Sequence, residues 1–250
     1  MNRLENKVAL IVGAGAGLGR SFAIAFAVEG ADVCVAGRTL AKVEKTAQQI
    51  KQTGRKSLAV EADITQISDI DKMVTSTFDY FGRIDILVNS AGIMLNPAVL
   101  EVKEADWDAI MNVQLKGVFF TIQKCLPIML KQGKGKIINL ASALGVKGRA
   151  SSSVYCAAKA GIINLTRALA VELGAKNIYV NALAPGFTIN PLTDHITSNP
   201  ELVKESLNNI PLGRLGRPEE ITGAAIYLAS DESDFTMGTT IFADGGETVK

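Results

Sequence analysis

The chain predicts a doubly wound α/β fold: a mainly parallel, seven-stranded sheet with helices on both faces. Three observations carry that expectation. Short apolar runs alternate with helix-length amphipathic segments along all 250 residues, the pattern that makes strands parallel and covers both faces of the sheet. A glycine-rich turn, Gly13-Ala14-Gly15-Ala16-Gly17-Leu18-Gly19, follows the first apolar run directly. Residues able to do chemistry fall just past strand ends, where open sheets of this class bind ligands.

The elements follow in order. Val8 to Val12 is the first strand, and the glycine turn opens a helix that runs to Glu29 and is closed by Gly30. Val33 to Ala36 is the second strand, completing a βαβ unit. Glycines in such a turn let backbone N–H groups approach a pyrophosphate at a helix N-terminus. The spacing is Gly-x-x-x-Gly-x-Gly rather than Gly-x-Gly-x-x-Gly. Helix Leu40–Gln52 pairs with strand Ser57–Glu61, and helix Ser68–Phe81 with strand Ile84–Asn89. A long helix is expected from Asp106 to about Leu130, then strand Ile137–Ala141, a helix opening near Val154, and strand Ile178–Leu183. A helical excursion around 192–209, helix Pro218–Ser230 and strand Thr240–Ala243 finish the chain. With no repeat, linker or low-complexity tract, residues 1–250 read as one dinucleotide-binding and catalytic domain. The segment Phe187–Ile210 reads as a mobile lid.

Composition narrows the function. The chain is 48% hydrophobic and 20% charged, which suits a soluble globular enzyme. A net charge of +1 gives no ground for a nucleic-acid or membrane partner. The N-terminus lacks a signal-peptide cleavage site and no apolar run reaches membrane-spanning length. Cys34, Cys125 and Cys156 are far apart, which points to a reducing, cytoplasmic setting without disulfides or a zinc site. His195 is the single histidine, so a His-rich metal centre is excluded and no metal is expected. In its polar stretch His195 reads as a loop or lid residue.

Tyr155 and Lys159 sit four apart on one helix face, and Ser142 lies just past a strand. A hydroxyl, a phenol and an ammonium can thus converge on one substrate atom. Bringing a tyrosine from its usual value near 10 to about 7 takes roughly 4 kcal/mol. A cation at about 4 Å supplies that order of energy at an effective dielectric near 20. Lys159 is the expected cation, Tyr155 the acid/base, and Ser142 the hydrogen-bond partner of the substrate oxygen.

Across essentially its whole length the chain resembles the short-chain dehydrogenase/reductase superfamily, in its single-domain branch. The matching stretches are V-G-A-G-A-G-L-G at 12–19, N-S-A-G at 89–92, Ser142, Y-C-A-A-K at 155–159, N-A-L-A-P-G at 181–186, P-L-G-R-L-G-R-P-E-E near 211–220 and A-D-G-G at 243–246. The general likeness is to 3-oxoacyl-carrier-protein reductases and related carbonyl reductases. The resemblance implies a Rossmann fold and a homotetramer built on the long helices and the last strand. It also implies that Gly13, Gly17, Leu18 and Gly19 line the pyrophosphate, with Asp63 and Ile64 at the adenine. Asn89, Ala91 and Gly92 would hold the central strand and the cofactor ribose. Pro185, Gly186 and Thr188 would flank the nicotinamide. Tyr155 and Lys159 would carry the proton transfer, Lys159 also binding the nicotinamide ribose.

One departure falls in the catalytic set. The family's asparagine on the central helix, which completes a proton relay to the lysine, is Gln114 here. Asn112 lies about 200° away on the helix and is no substitute. Gln carries the same amide on one more methylene, so the relay survives in shifted form or catalysis is altered. Val12, Ser90, Asn190 and Met237 are lesser departures.

After the second strand comes Arg38 and no carboxylate, which favours the 2′-phosphate of NADP(H) over the bare ribose of NAD(H). The glycine loop holds no second basic residue, so use of NAD(H) stays open. The leading function is hydride transfer between NADP(H) and a small-molecule carbonyl or secondary alcohol. Its rivals are a NAD-dependent alcohol dehydrogenase, a dinucleotide-binding sensor or scaffold with weakened chemistry, and a lyase or isomerase on the same scaffold. Met94, Leu144 and Val146, with Leu192, Ile196, Leu202 and Leu207 on the lid, suggest an apolar pocket. The four lid residues fit a packed helix face equally well. No arginine pair marks a dicarboxylate site, and Lys147 with Arg149 is less than the basic patch a carrier protein would need.

Overall fold

The computed structural model describes residues 2–191 and 193–250. Seven strands form one sheet in the order β3-β2-β1-β4-β5-β6-β7, with every neighbouring pair parallel. In chain order they are β1 Val8–Val12, β2 Asp32–Gly37, β3 Ser57–Glu61, β4 Ile86–Asn89, β5 Gly135–Leu140, β6 Ile178–Pro185 and β7 Thr240–Ala243. The helices are α1 Gly17–Val28, α2 Leu40–Lys51, α3 Ile67–Phe81, α4 Glu104–Met111, α5 Gly117–Gln132, α6 Ser153–Leu173, α7 Asp194–Thr197, α8 Pro200–Leu207 and α9 Pro218–Ala229.

Two apolar layers sandwich the sheet. On one face Phe22 and Phe26 of α1, Val43 and Ile50 of α2 and Leu228 of α9 pack over Ile11, Val33 and Val88. On the other Met73 of α3, Ile122 and Met129 of α5 and Ile162 of α6 pack over Leu10, Leu87 and Ile137. Adjacent residues Leu10 and Ile11 thus face opposite layers, as alternation along a strand requires. Every residue of β1 is buried, the mark of a central strand covered on both sides.

Strand order reverses between β1 and β4, since β2 and β3 extend to one side and β5, β6 and β7 to the other. A crevice opens at the carboxyl ends of strands at such a reversal, and the candidate site lies there.

The expected long helix is three pieces. Between α4 and α5, residues Asn112–Lys116 form a π turn, in which the Gly117 N–H reaches the Asn112 carbonyl. Strand β6 runs two residues further than expected, to Pro185. By length and mean hydropathy, Ser153–Lys176 could cross a membrane, contrary to the expectation that no segment would. Half of its apolar window is buried inside the protein, as in a core helix. The 187–210 segment carries α7 and α8. Leu192 and the side chains of His195 and Ile196 lie outside the described residues.

Candidate active site

The loops after β1, β4, β5 and β6 enclose a cavity of about 670 Å³. Gly13, Gly17, Leu18 and Gly19 line one part, with Arg38, Asp63 and Ile64 beside them. Ala91, Gly92, Gln114, Ser142, Tyr155, Lys159, Pro185, Gly186 and Thr188 line the rest.

The first part has the chemistry of an anion cradle. Helix α1 begins without a side-chain cap on its N-cap residue Ala16. Among the described residues no acceptor meets the N–H groups of Gly17, Leu18 and Gly19. These donors and the positive end of the helix suit a phosphate group. Gly13 has φ +83, and a Cβ there would lie 2.5 Å from the Ala91 nitrogen, so only glycine allows β1 and the β4 loop to approach this closely. Arg38 follows β2, and Lys42 of α2 joins it in the lining.

In the second part, Tyr155 and Lys159 project from one face of α6, and both are buried. The Lys159 Nζ donates to the Leu140 carbonyl at 2.7 Å and lies 5.6 Å from the centre of the Tyr155 ring. Ser142 caps the short turn after β5, its Oγ accepting from the Leu144 N–H. The expected electrostatics need correction. Burial pushes the Tyr155 phenol up to about 12, with Ser142 and the Arg149 charge pulling it down. Burial also brings Lys159 down to about 7. At these depths desolvation of each charged form is the largest influence on both groups. The pair alone therefore does not deliver the acidic phenol expected from its spacing.

Gln114 lies in the π turn and is 1% exposed. Its Nε2 donates to the Ile93 carbonyl at 2.7 Å, while its Oε1 is buried without a partner. That oxygen faces Gly92, where a Cβ would come within 3.2 Å of it. Asn89 is absent from the cavity lining. Its Nδ2 donates to Asn139 Oδ1 at 2.9 Å, tying β4 to β5. The asparagine ends a fully buried strand, so its side chain is turned into the sheet interior instead of the crevice.

Met94 and Leu144 line the cavity, but Val146, Leu202 and Leu207 do not. Val146 and Leu202 are exposed, and Leu207 faces a separate shallow hollow beside Arg214 and Arg217. Lys42, Arg149 and Glu247 line the cavity without having been singled out for it. Lys42 is the third residue of α2 and matches none of the motifs that mark the site, and Glu247 is more than a hundred residues from Ser142. Neither carried a local sequence signal.

A family model described as enoyl-(acyl carrier protein) reductase matches residues 13–248. The chain is 41% identical over 245 residues to 3-oxoacyl-[acyl-carrier-protein] reductase FabG of Thermotoga maritima, covering 98% of each. The chain belongs to the short-chain dehydrogenase/reductase family. Its members are oxidoreductases on a Rossmann-like fold. Among solved members, a gluconate 5-dehydrogenase from Burkholderia cenocepacia in complex with NADP and tartrate superposes with TM-score 0.96 at 32% identity. That match covers 100% of this chain and 98% of the other. A solved relative from Agrobacterium tumefaciens with bound NADP gives TM-score 0.92 at 37% identity, covering 100% and 99%.

Proposed function

We propose that this protein is an NADP(H)-dependent oxidoreductase interconverting a carbonyl and a secondary alcohol, with residues 1–250 acting as one catalytic unit. The observation that carries the reading is the shared cavity: Tyr155, Lys159 and Ser142 line the same space as the uncapped start of α1, Arg38 and Lys42. Bound NADP(H) would supply or accept hydride.

The residues divide the remaining work. The free N–H groups of Gly17, Leu18 and Gly19 would bind the pyrophosphate, and Asp63 and Ile64 would border the adenine. Arg38 and Lys42 offer two cations to a 2′-phosphate, which supports NADP(H) over NAD(H). Pro185, Gly186 and Thr188 would flank the nicotinamide, and Ala91 and Gly92 its ribose. Lys159 would hold that ribose while its amine feeds protons toward Tyr155. Tyr155 transfers a proton to or from the substrate oxygen, and Ser142 hydrogen-bonds that oxygen. A phenol held near 12 is mostly protonated, so it is ready as the acid of a reduction. For oxidation, positive charge from the oxidised nicotinamide and Arg149 would have to offset burial.

Tyr155→Phe tests the assignment: turnover should vanish while NADPH still binds, read by quenching of protein fluorescence. Surviving turnover would contradict it. Arg38→Asp should reverse the NADP/NAD preference in kcat/KM; an unchanged ratio would remove Arg38 from the phosphate site. Gln114 alone favours a second reading, a dinucleotide-binding sensor or scaffold with weakened chemistry, because its Oε1 is buried without a partner. Cofactor binding without turnover of any ketone or alcohol would favour that reading. The unpaired Cys34, Cys125 and Cys156 support a reducing, cytoplasmic setting.

A further inference from the structure

Four arginines are half-buried: Arg3, Arg20, Arg55 and Arg149. Three of them meet a side-chain oxygen of an acid or amide. Arg3 pairs with Glu29 at 3.2 Å, Arg20 with Gln49 at 2.8 Å and Arg55 with Asp32 at 3.1 Å. Arg149 has no such partner. Its Nε donates to Ser152 Oγ at 3.1 Å, and its Nη2 lies 3.5 Å from the Met94 sulfur. Among the described residues no carboxylate comes within ion-pair reach of it. A thioether is a weak acceptor, so most donors of the guanidinium fork are unused. None of its nitrogens is among the buried atoms left without a partner, so the unused donors stay accessible to a ligand.

The placement gives those donors a use. Arg149 lines the cavity with Ser142 and Tyr155, and its charge is felt at the phenol. The fork is also held. Ser152, the Nε acceptor, is 2% exposed, and its Oγ donates to Asn96 Oδ1 at 3.2 Å. Ser151 adopts a left-handed backbone, φ 55, uncommon for a residue other than glycine and typical of strained binding loops. Lys147 is by contrast occupied, its Nζ donating to the Glu247 carbonyl at 2.5 Å. Glu247 is the acid nearest in kind. Burial raises its carboxyl against the pull of Lys147 and Arg149, and it makes no ion pair with the Arg149 fork among the described residues.

We propose that Arg149 anchors a carboxylate on the substrate, so that the protein acts on oxo acids and their hydroxy-acid counterparts. The fork would accept two carboxylate oxygens side by side, fixing the substrate while its carbonyl lies at Tyr155 and Ser142. The substrate class rests on the proposed oxidoreductase activity; the anion site does not.

The test uses purified protein with NADPH, a series of oxo acids of varied carbonyl position, and their methyl esters. The best oxo acid should exceed its ester in kcat/KM, and Arg149→Gln should lower the acid-to-ester ratio by about 10- to 100-fold. Arg149→Lys should restore part of it. Taking the ratio cancels any effect of the lost charge on Tyr155. Equal use of acid and ester by the wild type, or an unchanged ratio in Arg149→Gln, would overturn the proposal while leaving the oxidoreductase reading intact. A second measurement titrates the protein, with saturating NADP⁺, against glutarate, a carboxylate with no carbonyl to reduce, and reads thermal stabilisation. Stabilisation lost in Arg149→Gln, in a protein that turns over no carbonyl, would retain the anion site and remove the oxidoreductase reading. Glutarate stabilising wild type and variant alike would count against the anchor.

Discussion

Lys159 shows how a site residue can trade stability for chemistry. Its amine is brought down to about 7 by burial, from the usual 10.5. Between those values the unfolded chain holds a proton that the folded protein does not, so stability rises with pH through the window. The slope reaches about 1.4 kcal/mol per pH unit for one proton. Above the upper value the penalty is absent; below the lower it is fully in place. Lys159→Met should flatten that slope in urea unfolding followed from pH 7 to pH 10, whatever it does to absolute stability through the lost bond to Leu140. An unchanged slope would show that the amine is protonated throughout. Gln114→Asn should leave kcat/KM within about tenfold of the wild type or raise it, since the shorter amide retains the relay chemistry. A collapse of activity would give glutamine a role of its own, through the contact its Nε2 makes with Ile93. At this scale the sequence indicated which groups share a helix face but not their fields. The four-residue spacing of Tyr155 and Lys159 put them on one helix face, yet burial of both, which sets their proton affinities, depends on contacts from β5 and the 142–152 loop. Arg149 was legible as a basic loop residue; its missing partner was visible only once the acids had positions.

At the scale of elements, strands were legible to within a residue or two because they are buried on both faces and read as unbroken apolar runs. The π turn was not. Nothing in N-V-Q-L-K-G breaks a helical period, and the wider turn reflects packing of α4 and α5 against separate neighbours. Gly117 marks the place. A Cβ there would lie 2.7 Å from the Ile64 carbonyl, a backbone contact that cannot yield like a flexible side chain. Gly117→Ala should therefore lower stability by about 1–3 kcal/mol, the usual range for overpacking, measured as a fall in the urea midpoint. Because Ile64 lines the cavity, NADPH affinity should weaken with it. A variant with wild-type stability would mean that α5 and the β3–α3 loop can separate freely. Asn89 was expected to hold the central strand and the cofactor ribose; at the end of buried β4 its amide bonds Asn139 of β5.

For the whole molecule, a parallel sheet covered on both faces followed from the alternation of elements, whereas the strand order came from the structure, and the surface raises a further question about assembly. Trp107 of α4 and Phe119 of α5 are 47% and 38% exposed. Val171 of α6, Phe235 and Phe242 of β7 add a second apolar set, with Phe235 fully in solvent. Exposed apolar residues are ordinary when scattered; on α4, α5 and α6 and along the last strand, large ones of this kind suit contacts between copies. Together with the family resemblance, this leads us to expect a homotetramer with two kinds of two-fold interface. Light scattering should then give four times the 26.5 kDa chain mass. Placing a charge in one set at a time should break one interface and spare the other, so Phe119→Asp and Phe242→Asp should each yield dimers. Burying an unpaired carboxylate in a packed interface is strongly unfavourable, whereas on an open surface the same changes would leave the mass untouched. A monomeric wild type at micromolar concentration would refute the tetramer. A tetramer unaffected by both substitutions would move its interfaces away from α5 and β7.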